Sequence, residues 1–424
     1  MAMKNFFFSV LLLTGVLFIG PSADAQDLPQ YKKIISDMSG SRFQGRGYAK
    51  DGVRKAAYYV KRQFLKAGVD EVILQPFTID INTYGGRMCM SVDGRSLRAG
   101  IDFTMREYSP GVKGEYKVYH IDTVNFNMDN VMADLRKPEN EGCFVEYDFW
   151  YAYREHRKDF ARLQKEDLPI TGLIQTWDAP LKFYKAYGEK VVSKPIVWTT
   201  REAIRGVKTV SFNIENRFLQ SYATDNVIAK VSGRRHDSCY VFTAHYDHLG
   251  NIGSSVFCPG ANDNASGTAA IITLAGYFAA NKPEYDMYFI AFSAEEAGLR
   301  GSTFYAENPL VPLQDIRFLI NIDMIGDDNP SLYAEFSDAG KAFIPVFESL
   351  NSDGSYFKSI NIGELSENSD HYPFAVRGVP CVFFENKEGS AFKYYHTSMD
   401  DLKTVKYDSY IPLFNLLKDF VLSL

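Results

Sequence analysis

Residues 239–248 read CYVFTAHYDH. The first five form a near-continuous apolar run, and the next five carry two histidines and an aspartate. Three further runs have the same character: MYFIAF (287–292), FLINI (318–322) and VPCVFF (379–384). Strands that are apolar on both faces belong to a mostly parallel sheet covered on each side. Between the first two runs, Gly267 to Ala280 carries Ile271, Leu274, Ala275 and Phe278 at helical spacing, with Ser266 as the expected N-cap. The fold class expected is therefore three-layer α/β/α, with a mostly parallel mixed sheet between helices.

Towards the N-terminus, Val53, Ala57, Val60 and Phe64 recur every three or four positions, with Gly68 just beyond, which predicts an amphipathic helix over 50–66. Val72 to Ile81 alternates as a strand. From Met88 to Phe218 the pattern changes to short β-like runs with turn pairs, Asp93-Gly94 and Pro110-Gly111, and an aromatic stretch, Phe144 to Phe160. This predicts an inserted, largely β domain over 88–218, splitting a main domain into 26–87 and 219–424. The aromatic stretch reads as core or interface rather than as a substrate platform. At the start of the chain, Lys4, the 14-residue apolar run Phe6–Ile19 and Ala23-Asp24-Ala25 have the form of an export signal cleaved after Ala25. The expected location is periplasmic or secreted, with no membrane span left after cleavage.

The 424 residues carry 46 Lys+Arg and 52 Asp+Glu, a net charge of −6, with 46% hydrophobic residues. That composition supports a packed core and argues against a nucleic-acid partner. The five cysteines form no CxxC pair, so neither a thiolate zinc cluster nor a disulfide-dense scaffold is indicated.

The chemistry follows the strands. His245-Tyr246-Asp247-His248 follows the first run, Glu295-Glu296 the second and Asp323 the third, while Gly260-Ala261-Asn262-Asp263-Asn264 leads into the Gly267 helix. Ligands of open α/β sheets bind at the carboxyl ends of the strands. Separations of 18, 33 and 27 positions along His245, Asp263, Glu296 and Asp323 suit a site built from several loops. Gathered carboxylates repel one another unless a cation offsets the charge, and mixed imidazole and carboxylate donors fit zinc, or cobalt or manganese. Two ions sharing a carboxylate would polarise a carbonyl and acidify a water, and an uncoordinated neighbour from Glu295-Glu296 could take its proton.

These stretches, together with NSDHYPF (368–374), YYHTSMDDL (394–402) and, more weakly, SRFQGRGYAKDG (41–52), resemble the cocatalytic-zinc aminopeptidases of the bacterial secreted aminopeptidase and aminopeptidase Y type. The resemblance covers residues 222–424 and implies a metallopeptidase of peptide substrates, an exopeptidase acting at N-termini. It implies two zinc ions, one held by His245 and Asp323, the other by Glu296 and His396, with Asp263 shared. It implies Glu295 as general base, Asp247 as the carboxylate orienting His245, and Tyr395 as a donor to the oxyanion. The insert resembles, in position and length, a protease-associated domain. His371 competes with His396 for the last metal position; His371 and Asp370 are expected in the pocket wall, His248 in a supporting role, and His120, His156 and His236 at the surface. Plainer readings are an Asx-turn at Asp263, a solvated helix start at Glu295-Glu296 and a strand end at Asp323. Two rival functions are a glutaminyl-peptide cyclase on a related fold and a metal-free binding module.

Overall fold

The computed structural model of the protein describes residues 27–183, 190–352 and 355–424. The expected export signal lies outside them. Eight strands make the first sheet, in the order Glu71–Thr83, Arg217–Val231, Tyr285–Phe292, Arg235–His245, Ile316–Ile322, Cys381–Glu385, Leu332–Phe336, Ile360–Gly363. The four central strands are mutually parallel. Antiparallel neighbours flank them on each side, so the sheet is mixed and mostly parallel at its centre, as expected.

Helices Leu28–Met38, Gly52–Lys66, Gly267–Ala280 and Tyr410–Leu422 cover one face, burying Ile34, Val60, Leu274 and Phe420 against Phe242, Phe289 and Ile320. Helices Arg300–Glu307 and Tyr372–Ala375 cover the other, where Tyr305 and Phe374 meet Ile290, Phe292 and Leu319. Each of these large side chains contributes about 1.5–3 kcal/mol by leaving water. Because both faces are covered, the central strands need apolar residues at successive positions, which is the pattern in CYVFT and FLINI.

Ser266 does not cap the Gly267 helix. A helical turn, Ala261–Ser266, runs directly into it, and the Ser266 hydroxyl donates to the Asn262 carbonyl at 2.6 Å. The Asn264 side chain accepts from Gly267 N instead, at 2.8 Å.

Residues Met88 to Ile214 build a second eight-stranded sheet. It is not β alone: helices Met128–Leu135, Phe149–Glu155 and Arg157–Lys165 pack against it, and Tyr147, Ala152 and Phe160 of the aromatic stretch lie in their shared core. The chain leaves the first sheet after Thr83 and re-enters at Arg217, and those two residues are paired neighbours. Among the described residues no helix is long and apolar enough to cross a membrane.

Candidate metal centre

His245 ends its strand, Asp323 directly follows Ile322 on the adjoining parallel strand, and Glu295 and Glu296 lie just beyond Phe292 on the other side. The register His245↔Phe292 places these strand ends level, so residues far apart in sequence meet at one rim. His245 Nε2 lies 3.3 Å from Asp263 Oδ1, 3.3 Å from Asp323 Oδ1 and 3.9 Å from Glu295 Oε2. On the far side of Asp263, its Oδ2 lies 3.2 Å from His396 Nε2, which is also 3.2 Å from Glu296 Oε2. Asp263 thus stands between two histidines, each with a further carboxylate. The structure brings His245, Asp263, Glu295, Glu296, Asp323 and His396 together, all but Glu295 no more than 7% exposed.

Asp247 lies beneath them. His245 Nδ1 is 3.2 Å from the Asp247 carbonyl oxygen and 3.7 Å from its carboxylate. That carboxylate also accepts from the Glu295 and Glu296 amides, at 3.1 and 3.3 Å, and from the Tyr48 hydroxyl at 3.2 Å. The Tyr395 ring lies on the His396 imidazole, with centroids 3.7 Å apart. Asp370 and His371 are fully buried, and His371 stacks on Phe383 with 5.0 Å between centroids. His236 and His120 are exposed, and His156 is half-buried.

Three residues matter more than the sequence suggested. His248 Nδ1 lies 2.8 Å from Glu296 Oε1 and 3.8 Å from Asp263 Oδ2, inside the centre rather than around it. Its place in the HYDH motif was the available signal. Asp400, within YYHTSMDDL, accepts from the Asn262 and Asp263 amides at 2.8 and 2.9 Å and so holds the Asp263 loop. Arg46 is completely buried and spends every N–H on a backbone carbonyl. Nε reaches Tyr246 (2.8 Å), Nη1 reaches Met38 (3.1 Å) and Pro259 (2.6 Å), and Nη2 reaches Gly260 (2.8 Å) and Asp263 (2.9 Å). Gly260, at φ +60°, is required there: a Cβ would collide with the Asp263 carbonyl oxygen and the Arg46 guanidinium.

The electrostatics are those of a site short of positive charge. Burial would push the His245 imidazole down, but Asp323, Glu295, Asp247 and Asp263 reverse this and raise it well above its ordinary value. His396 is likewise depressed by burial yet raised overall by Glu296 and Asp263. Burial, with Glu296, Asp370 and Asp323 nearby, raises Glu295 well above the usual carboxylate range against the pull of His245.

The donor set suits divalent cations. Ligand atoms of His245, Asp263 and Asp323 lie within 4.8 Å of one another, as do those of His248, Asp263 and Glu296, and all are buried. Nitrogen and carboxylate oxygen donors in this mixture fit zinc. His248 Nε2 has no hydrogen-bond partner among the described residues.

The three-layer fold with this doubled His/carboxylate centre at its strand ends is of the zinc-exopeptidase type. Residues 226–421 match the model of peptidase family M28. Over 187 residues it is 28% identical to aminopeptidase YwaD of Bacillus subtilis (strain 168) and 32% identical to leucine aminopeptidase 2 of Arthroderma otae. Those alignments cover 42% of this chain but only 39% and 36% of the two relatives, so the chain spans well under half of their length in sequence. In structure, it is similar to a zinc aminopeptidase from Bacillus subtilis, with a TM-score of 0.71 at 20% identity, covering 93% of this chain and 94% of the other. An aminopeptidase from Aneurinibacillus sp. strain AM-1 aligns with a TM-score of 0.66 at 20% identity, covering 94% of each chain.

Proposed function

We propose that the protein is an exported aminopeptidase that hydrolyses the N-terminal peptide bond of peptides. The observation carrying this reading is Asp263 between His245 and His396, with Asp323 and Glu296 beside them, at the carboxyl rim of the sheet. His245 and Asp323 would hold one zinc ion, Glu296 and His396 the other, and Asp263 would be shared. Bound there, zinc would supply Lewis acidity towards the scissile carbonyl and lower the pKa of water. Cobalt or manganese would serve in its place.

The chain's own groups do the rest. Asp247 fixes the His245 ring through its carbonyl and, through the Glu295 and Glu296 amides, the turn that presents both glutamates. His248 holds the second oxygen of Glu296. Glu295, a half-buried carboxyl with raised proton affinity, takes a proton from the attacking water and returns it to the leaving amine. Tyr395 is the donor to the developing oxyanion.

The test is digestion of a peptide mixture by the zinc-loaded protein, read by mass spectrometry. Stepwise loss from free N-termini is expected, with N-acetylated peptides left intact. Glu295→Gln should keep its metal while kcat falls about 10²–10⁴-fold, the contribution of a general base. Shortening from the C-terminus, release of ammonia from N-terminal Gln, or a fully active Glu295→Gln would each overturn part of this reading.

A further inference from the structure

The strand Cys381–Glu385 runs parallel to Ile316–Ile322 and antiparallel to Leu332–Phe336. Val382 and Phe384 point into the main helix-covered core, and Cys381 joins the cluster on the opposite face. By the two-residue alternation of a strand, Phe383 and Glu385 share the face of Cys381. On the neighbouring strand Leu319 marks that same face, which carries Asn321 and Asp323 onward. Asn321 pairs with Phe383, Asp323 N donates to the Phe384 carbonyl at 3.0 Å, and Asn386 N donates to Met324 at 3.1 Å. Glu385 therefore lies one strand from Asp323, level with it and on the same face, roughly 4.8 Å away at the backbone.

The acids on this face differ in how they are satisfied. Asp323 accepts from Ser369 Oγ at 2.7 Å and faces His245. Glu335 accepts from Ser366 N at 2.9 Å, Asn368 Nδ2 at 3.1 Å and the Tyr333 hydroxyl at 3.1 Å. Glu385 is 7% exposed, and among the described residues its carboxyl has no hydrogen bond and no ion pair. Lys387, two positions on, directs its ammonium over the Tyr333 ring instead, 4.5 Å from the centroid. The natural complement of a carboxylate that has no donor beside an acidic centre is a cation.

Resting on the aminopeptidase reading above, we propose that Glu385 accepts the primary ammonium group of the substrate's first residue and so places that residue on the Asp323 side of the site. Two ammonium groups meet that description: the α-ammonium, present in every unblocked substrate, and the side-chain ammonium of an N-terminal lysine.

Steady-state kinetics of the zinc-loaded full chain on leucyl- and lysyl-p-nitroanilide tell them apart. Glu385→Gln keeps the shape and removes the charge; its metal content and melting temperature should match those of the unaltered protein. KM should rise about ten-fold, as expected for one charge-assisted hydrogen bond, with kcat changed far less. A rise for both substrates identifies the α-ammonium, and a rise for the lysyl substrate alone identifies the side chain. Glu385→Asp, which withdraws the charge by one methylene, should fall between, and it carries the test if the Gln variant does not fold. Unchanged KM on both substrates, or loss of metal from the variant, overturns the proposal. If the metal-loaded protein cleaves neither substrate, the aminopeptidase reading fails by itself. Calorimetric titration with leucinamide and lysinamide then decides on Glu385: at least ten-fold weaker binding of either by Glu385→Gln supports it, and equal binding of both overturns it.

Discussion

A single buried guanidinium organises the loop that carries Asp263. Arg46 meets three carbonyls of the 259–263 segment together with those of Met38 and Tyr246, and so ties the N-terminal turn to two loops of the centre. Burial lowers its pKa to about 10, against the opposing pull of Asp263, Asp400, Asp247 and Glu296, so it stays charged at neutral pH. Arg46→Ala should cost about 3–5 kcal/mol of stability, because five buried acceptors lose their donor. Arg46→Lys, with three donors at most, should recover part of it. Urea denaturation of both variants measures this, and an Arg46→Ala loss below about 1 kcal/mol would show that water replaces the side chain. Arg46 stood in the quoted SRFQGRG stretch, yet its partners lie up to 217 positions away and nothing local marks it as a brace. His245, Asp263 and Glu296 were legible because each follows an apolar run or opens a helix, where polar residues stand out.

At the scale of elements, the central strands were readable because burial on both faces imposes a run of apolar residues that no helix of that length would need. The loops were not, since their conformations are set by distant partners. Ala294, Met324 and His396, each itself a proposed site residue or next to one, hold left-handed backbone at φ +59°, +55° and +57°. Such conformations cost of order 1–3 kcal/mol for residues with a Cβ and persist where surrounding contacts dictate them. The opposite end of the sheet offers a test free of the metal centre. Asp286, at the start of its strand, accepts from Gly233 N (2.8 Å), Lys230 Nζ (3.0 Å) and His236 Nδ1 (2.7 Å). Burial alone would raise its pKa, but these partners outweigh it and hold the carboxyl below its ordinary value. A depressed acid stabilises the fold above its unfolded pKa of about 3.9 and loses that contribution as pH falls through its folded value. The stability gap between the unaltered protein and Asp286→Asn should therefore shrink as pH falls below about 4. A gap that widens below that pH would contradict the assignment.

Across the whole molecule, the second sheet is coupled to the first. Its two connections leave a paired strand edge at Thr83 and Arg217, and Phe183 N donates to the His396 carbonyl at 2.8 Å. Lys182 places its ammonium 5.5 Å from the centroid of the Tyr395 ring. The region between the two halves of the first sheet thus touches the segment that supplies the last histidine. Composition showed that this region differs from the rest; the contact itself rests on tertiary geometry that no spacing in sequence encodes. The three-layer class, by contrast, followed from the order of apolar runs alone.

Carboxylates and imidazoles share one buried rim, and the proposed pair of dications is what would make that crowding tolerable. Calorimetric titration of chelator-stripped protein with zinc tests it most directly. Two ions per chain are expected for the unaltered protein, and fewer than two for Asp263→Asn, which removes the shared ligand. A folded, stripped protein that takes up one ion or none, or an Asp263→Asn variant that still binds two with equal affinity, would contradict it.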